Sequence, residues 1–142
     1  MPEITFYVLN SESIYDRYLF ACKLIEKAYN AGKFCYVLLD SFEQCQRLDD
    51  MLWTFRAGSF IPHQLFTGIE PEIKKQVLIG VENAPVNWQN VVFNLSSSLP
   101  QNWQNATRIL EILDNNEITK TAGRERYRAY KNAGIEIATH KI

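Results

Sequence analysis

The period of the apolar residues changes several times along the chain, and each change marks an element. Ile4-Thr5-Phe6-Tyr7-Val8-Leu9 is a short β-branched and aromatic run closed by Asn10-Ser11, the pattern of a strand and its turn. Tyr15, Tyr18, Cys22, Ile25 and Tyr29 then recur every three or four positions as one face of an amphipathic helix, with Asp16, Lys23 and Lys27 among the solvated positions. Gly32 stands where a helix end calls for a left-handed residue. Phe34-Cys35-Tyr36-Val37-Leu38-Leu39 is apolar nearly throughout, as strands are in parallel sheets covered on both faces. Ser41 with Gln44 makes a capping-box pattern, and Cys45, Leu48 and Leu52 continue it at helical spacing.

After Trp53 the periodicity dissolves into an aromatic loop, Thr54-Phe55-Arg56-Ala57-Gly58-Ser59-Phe60-Ile61-Pro62-His63. Val77-Leu78-Ile79 and Val91-Val92-Phe93-Asn94-Leu95 are two further strands, with Pro85 between them. Ser96-Ser97-Ser98, followed by Pro100, Gln101 and Asn102, is a loop too short to link domains. Ile109-Leu110-Glu111-Ile112-Leu113 fits either a strand or a helix end. Residues 117–133 form the last helix, stopped by Gly134, and Ile135-Glu136-Ile137 alternates as a final strand. The β-α-β-α opening predicts right-handed crossovers and an α/β fold layered around one sheet. A chain of 142 residues suits a single domain spanning residues 1–142.

Charge narrows the functional classes. Fifteen basic residues against sixteen acidic ones give a net charge of -1, which argues against a dedicated nucleic-acid binder. Cys22, Cys35 and Cys45 are odd in number and widely spaced, so we expect reduced, buried thiols and neither a disulfide framework nor a metal site. Without a basic-then-apolar N-terminus or a run approaching ~18 apolar residues, the expectation is a soluble, cytoplasmic protein.

Nor does the chain carry the usual machinery of catalysis. Its first β-α turn, Asn10-Ser11-Glu12-Ser13, has no glycine to admit a phosphate and carries a repelling carboxylate. No GxGxxG or GxxxxGK[ST] occurs, so neither a nucleotide-binding loop nor a cofactor is expected. His63 and His140, the only histidines, have no triad partner nearby in sequence. Asp49 and Asp50, adjacent on a helix, point about 100° apart and read as a solvated face. No catalytic residue is assigned.

Two patches remain. Trp53, Phe55, Phe60, Ile61 and Pro62 crowd around Arg56, either as a lid on the core or as the centre of a protein interface. On the last helix, at 100° per residue, Lys120, Arg124, Tyr127, Arg128 and Lys131 share an arc of about 100°. Ala122, Ala129 and Ala133 lie opposite as a thin face suited to close packing, and Arg126 falls on the far side. Within reach of the ridge, only Glu117 could neutralise a cation, and then Lys120 alone. Such a ridge reads as a solvated face, as an anion receptor, or as a single-stranded DNA platform with Tyr127 stacking on bases.

Arg47-Leu48-Asp49-Asp50-Met51-Leu52-Trp53 with Ser59-Phe60-Ile61-Pro62-His63, and the stretch Arg124-Glu125-Arg126-Tyr127-Arg128-Ala129-Tyr130-Lys131-Asn132-Ala133-Gly134, resemble two motifs of the chi subunit family of bacterial DNA polymerase III. Phe6-Tyr7 with Leu9 fits the family's opening strand, while residues 66–116 match little. The resemblance implies a Rossmann-like layered sheet with helices on both faces, and a non-catalytic subunit with two partners. One is the psi subunit, in a heterodimer that joins the clamp-loader assembly. The other is the acidic C-terminal tail of single-stranded DNA-binding protein, ending in a phenylalanine with a free carboxylate; contact with nucleic acid is then only indirect. Carried over by position, Trp53, Phe60, Ile61 and Pro62 face psi. Leu113, Lys120, Arg124, Tyr127 and Arg128 form the tail pocket.

Overall fold

The computed structural model describes all 142 residues, and their apolar runs become strands and helices. In chain order the elements are β1 (Glu3–Val8), α1 (Ile14–Asn30), β2 (Cys35–Leu38), α2 (Phe42–Thr54), β3 (His63–Leu65), β4 (Val77–Gly80), β5 (Val91–Asn94), β6 (Arg108–Leu113), α3 (Glu117–Asn132) and β7 (Ile137–Lys141). The seven strands form one sheet in the order β3-β4-β2-β5-β6-β1-β7. Every neighbouring pair is parallel, as the unbroken apolar run of β2 predicted. The fold is α/β and Rossmann-like.

Local chemistry sets the helix ends. Ser13 Oγ accepts from the Asp16 amide and Ser41 Oγ from the Gln44 amide, each filling one of the donors a helix start leaves free. Gln44 Oε1 reaches back to the Asp40 amide, one residue earlier than the simplest capping box. Gly32 and Gly134 close α1 and α3 with φ of 85° and 83°, where a side chain would be strained.

Alternation along the strands divides the core. Val37, Ile79, Phe93 and Ile112 face α1 and α2, meeting Cys22, Ile25, Leu48 and Leu52. Tyr36, Leu78, Val92, Ile109 and Phe6 face the other way, under Tyr130 of α3. Short 3-10 turns at Val86–Trp88 and Trp103–Asn105 cover the rest of that face with Trp88 and Trp103. All three thiols are buried and unpaired, and burial raises Cys22 and Cys35 to about 12 and Cys45 to about 11.

Some expectations shift. Residues 109–113 resolve as strand, because their alternate side chains enter opposite cores. The final strand begins at Ile137, while Ile135 is buried in the turn before it. The inner face of α1 is rotated from the expected one: Tyr15 is exposed, and Arg17 and Ala21 are inside. Arg17 donates from Nε to the Ile112 carbonyl at 2.8 Å, which lets a guanidinium occupy that place.

The largest correction concerns α3. Its innermost residues are Gly123, Arg126 and Tyr130, not the alanines. Arg126 does lie away from the basic ridge, but it is only 3% exposed and turned into the sheet. Its Nε lies 2.9 Å from Oε1 of Glu111, a β6 residue with no exposed surface. Oε2 of Glu111 accepts from the Tyr130 hydroxyl at 2.7 Å and from Asn94 Nδ2 at 3.0 Å. A periodic reading places arginine outside by default; a carboxylate in the sheet reverses that default.

Removing Arg126 strands a buried carboxylate, which typically costs roughly 3–5 kcal/mol. Urea unfolding of Arg126→Ala should show a loss of that order, while the exposed Glu125→Ala stays within about 0.5 kcal/mol of the parent. Equal stability of the two variants would contradict a structural role for the pair.

Candidate functional site

Successive connections leave the sheet on opposite faces where β1 meets β6: α1 follows the first and α3 the second. Open α/β sheets place their ligand sites at such points, beyond the strand C-termini. Two hollows occur there, and their chemistry differs.

The first lies between the starts of α1 and α3, with a volume of about 280 Å³. Three carboxylates, Glu12, Asp40 and Asp114, line it together with Arg17 and Arg126. Two of its carboxylates are engaged: Asp40 accepts from the amide and hydroxyl of Ser97, and Asp114 from the Asn116 amide. Asp16 in the first turn of α1 accepts from Ser11 Oγ. Negative side chains thus occupy the position a phosphate would take at the helix start.

The second hollow, about 560 Å³, opens beside the ends of β1, β6 and β7. Val8, Leu9, Leu113 and Ile142 give it apolar walls, Asn10 and Asn115 add amides, and Lys120, Arg124 and Lys141 are its only charged side chains. Lys120 pairs with Glu117 at 3.1 Å and donates to Asn115 Oδ1 at 3.0 Å. Arg124 is exposed and makes no ion pair. Both cations stand in the N-terminal half of α3. Leu113 is held tightly beneath them: a Cβ on Gly123 would lie 2.5 Å from its Cδ1.

Of the five residues carried over for the tail pocket, the structure gathers Leu113, Lys120 and Arg124 around this hollow. Tyr127 and Arg128 are not among its walls. Tyr127 is half-buried, its ring edge-on to Phe6 at 5.4 Å, with Lys131 Nζ 5.9 Å from its centroid. Arg128 is exposed one turn farther along α3 and unpaired. Lys141 and Asn10 were missed by sequence reasoning because neither belongs to a periodic face. The signal was topological: a parallel sheet brings strand C-termini together however distant in sequence.

The aromatic loop divides between its two readings. Trp53 is 51% and Phe60 73% exposed, their ring centroids 5.8 Å apart. Ile61, at 2% exposure, belongs to the α1–α2 core and anchors the loop instead of facing outward, and Pro62 is half-buried. Glu26 of α1 holds the loop from below, accepting from Ser59 Oγ and pairing with Arg56.

His63 also corrects the solvated reading of Asp49. Its buried ring lies 3.3 Å from the Asp49 carboxylate, with the Trp53 ring tilted against it at 4.5 Å between centroids. Desolvation raises the Asp49 pKa, against the lowering effect of His63. Nδ1 faces the Ile61 carbonyl at 2.7 Å and Nε2 the Asp49 carbonyl at 3.2 Å, so neither nitrogen is free for a substrate. This pairing braces the loop.

The family model described as DNA polymerase III chi subunit, HolC, matches residues 1–138. The chain is 30% identical over 142 residues to DNA polymerase III subunit chi of Pseudomonas aeruginosa, covering 100% of this chain and 98% of that protein. It is 26% identical to the protein of the same name from Escherichia coli over 144 residues, covering 98% and 97% respectively. The Haemophilus influenzae counterpart is 23% identical over 138 residues, covering 96% and 95%. No helix is long and apolar enough to cross a membrane.

The carboxylates in the first hollow generate a negative prediction. Calorimetric titration with a nucleoside triphosphate should give no saturable heat at micromolar strength. A saturable micromolar isotherm would contradict this account of the crevice.

Proposed function

Because the chain belongs to the DNA polymerase III chi subunit family, and is thus a non-catalytic accessory subunit of that polymerase, we propose that it bridges two proteins during DNA replication. One surface takes the psi subunit of the clamp-loader assembly as a heterodimer, and the other takes the C-terminal tail of single-stranded DNA-binding protein. The observation that carries the reading is the second hollow, whose charged side chains are all cationic beside four apolar residues. Cations alone bind any polyanion. An apolar slot beside them selects a chain end that carries both a ring and a carboxylate.

In this reading Arg124 and Lys120 receive the terminal carboxylate and Leu113 forms the wall against the terminal phenyl ring. Tyr127 supports α3 beside the site, and Arg128 attracts acids farther up the tail. Trp53 and Phe60 are the anchors for psi, with Pro62 shaping the loop and Ile61 fixing it to the core. A direct single-stranded DNA platform is less well supported, because the Tyr127 ring is packed on Phe6.

The two surfaces flank opposite edge strands, β3 and β7. Six inter-strand spacings of about 4.8 Å put those edges roughly 29 Å apart, so both partners fit at once.

Arg124→Ala should weaken binding of an acidic peptide ending in Phe on the order of tenfold or more, and rising salt should weaken the parent complex. Glu125→Ala is the matched control, since Arg126 is structural. Deleting the peptide's terminal Phe should abolish binding with every acid retained. Equal affinity for the truncated peptide would reduce the hollow to a general polyanion surface.

Trp53→Ala or Phe60→Ala should cost roughly 2 kcal/mol of psi binding and leave peptide binding unchanged. Loss of both activities together with a lower Tm would instead make these rings part of the core.

A further inference from the structure

Lys141 closes the second hollow from the side opposite α3. It is the last residue of β7 and is aligned with Val8 of β1. Strand alternation puts it on the α3-facing side of the sheet with Thr139 and Ile137. It is exposed and makes no ion pair. Lys120, in contrast, is partly neutralised by Glu117. The uncompensated charge of the hollow therefore comes from two flanks, Arg124 on the helix and Lys141 on the edge strand. Val8, Leu9, Leu113 and Ile142 supply the apolar surface with them.

A ligand with a single carboxylate offers the two flanks one charge between them. A chain end bearing its terminal carboxylate and a neighbouring side-chain carboxylate around an apolar ring can satisfy both. Arginine's planar fork suits a carboxylate fixed by the chain end, whereas lysine, a mobile point charge, suits an acid on a flexible side chain.

We propose that Lys141 is a specificity-determining residue of this hollow, pairing with a side-chain carboxylate next to the terminal apolar residue while Arg124 holds the terminal carboxylate. The inference rests on the reading of the hollow as a receptor for an acidic chain end. It adds to that reading a second selected feature, an acid beside the terminal residue. An exposed lysine is screened by water, so its effect is modest and visible mainly in a matched comparison.

The test is calorimetric titration of the full chain with two peptides ending in Phe, one with its acids intact and one with the acids nearest the Phe replaced by their amides. Lys141→Gln should weaken the intact peptide roughly two- to fivefold, leave the amide peptide unchanged, and be rescued by Lys141→Arg. Unchanged affinity for the intact peptide, or an equal loss for both peptides, overturns the assignment. Arg124→Ala, measured alongside, separates the two levels. If it alone weakens binding, the chain-end reading stands and the role of Lys141 falls; if it too has no effect, the reading itself fails.

Discussion

A carboxylate in the middle of a parallel sheet needs both of its oxygens hydrogen-bonded, and Glu111 governs the structure for that reason. Its oxygens take Arg126, Tyr130 and Asn94, two of them from α3. Burial and the adjacent carboxylate both raise the Tyr130 pKa, so the phenol stays a donor. The register of α3 on the sheet follows: rotating the helix by one residue would leave the Glu111 charge with Asn94 as its one remaining partner in a low-dielectric interior. Gly123 permits the close approach, and Leu113, two residues beyond Glu111 on the same face of β6, is pressed beneath it.

That docking gives α3 two faces with separate tasks. Arg126 and Tyr130 spend their polarity inside, which turns Lys120, Arg124 and Arg128 away from the sheet, two of them over the hollow. A chain of net charge -1 thereby presents a local cationic site without a basic surface overall. The aromatic loop shows a similar division. Ile61, His63 and Glu26 anchor it, so that Trp53 and Phe60 stand exposed on a braced base instead of a mobile one.

Most of the architecture was legible in the sequence because the signals were periodic. The continuous apolar run of β2 announced a parallel sheet, the spacing from Cys45 to Leu52 gave the inner face of α2, and the ridge on α3 was placed on its outer side. What escaped notice depends on partners far apart in the chain. Spacing puts Arg126 on the side of α3 away from the ridge, but nothing in it points to the partner, Glu111, 15 residues earlier. Asp49 looked solvated until His63, 14 residues later, folded back onto it. Trp88 and Trp103 cover a core face from three-residue turns, too short for periodicity to register. Lys141 reaches the hollow only because β7 and β1 are neighbours in the sheet.

The central claim is that a chain end seats its ring against Leu113 beneath the cations of α3, and methyl NMR reads that contact directly. With leucine methyls labelled, adding an acidic peptide ending in Phe should shift the Leu113 signals through ring current, together with those of Leu9. The same peptide without its terminal Phe should leave them in place. Shifts confined to leucines near Trp53, such as Leu52, with Leu113 silent, would contradict the account.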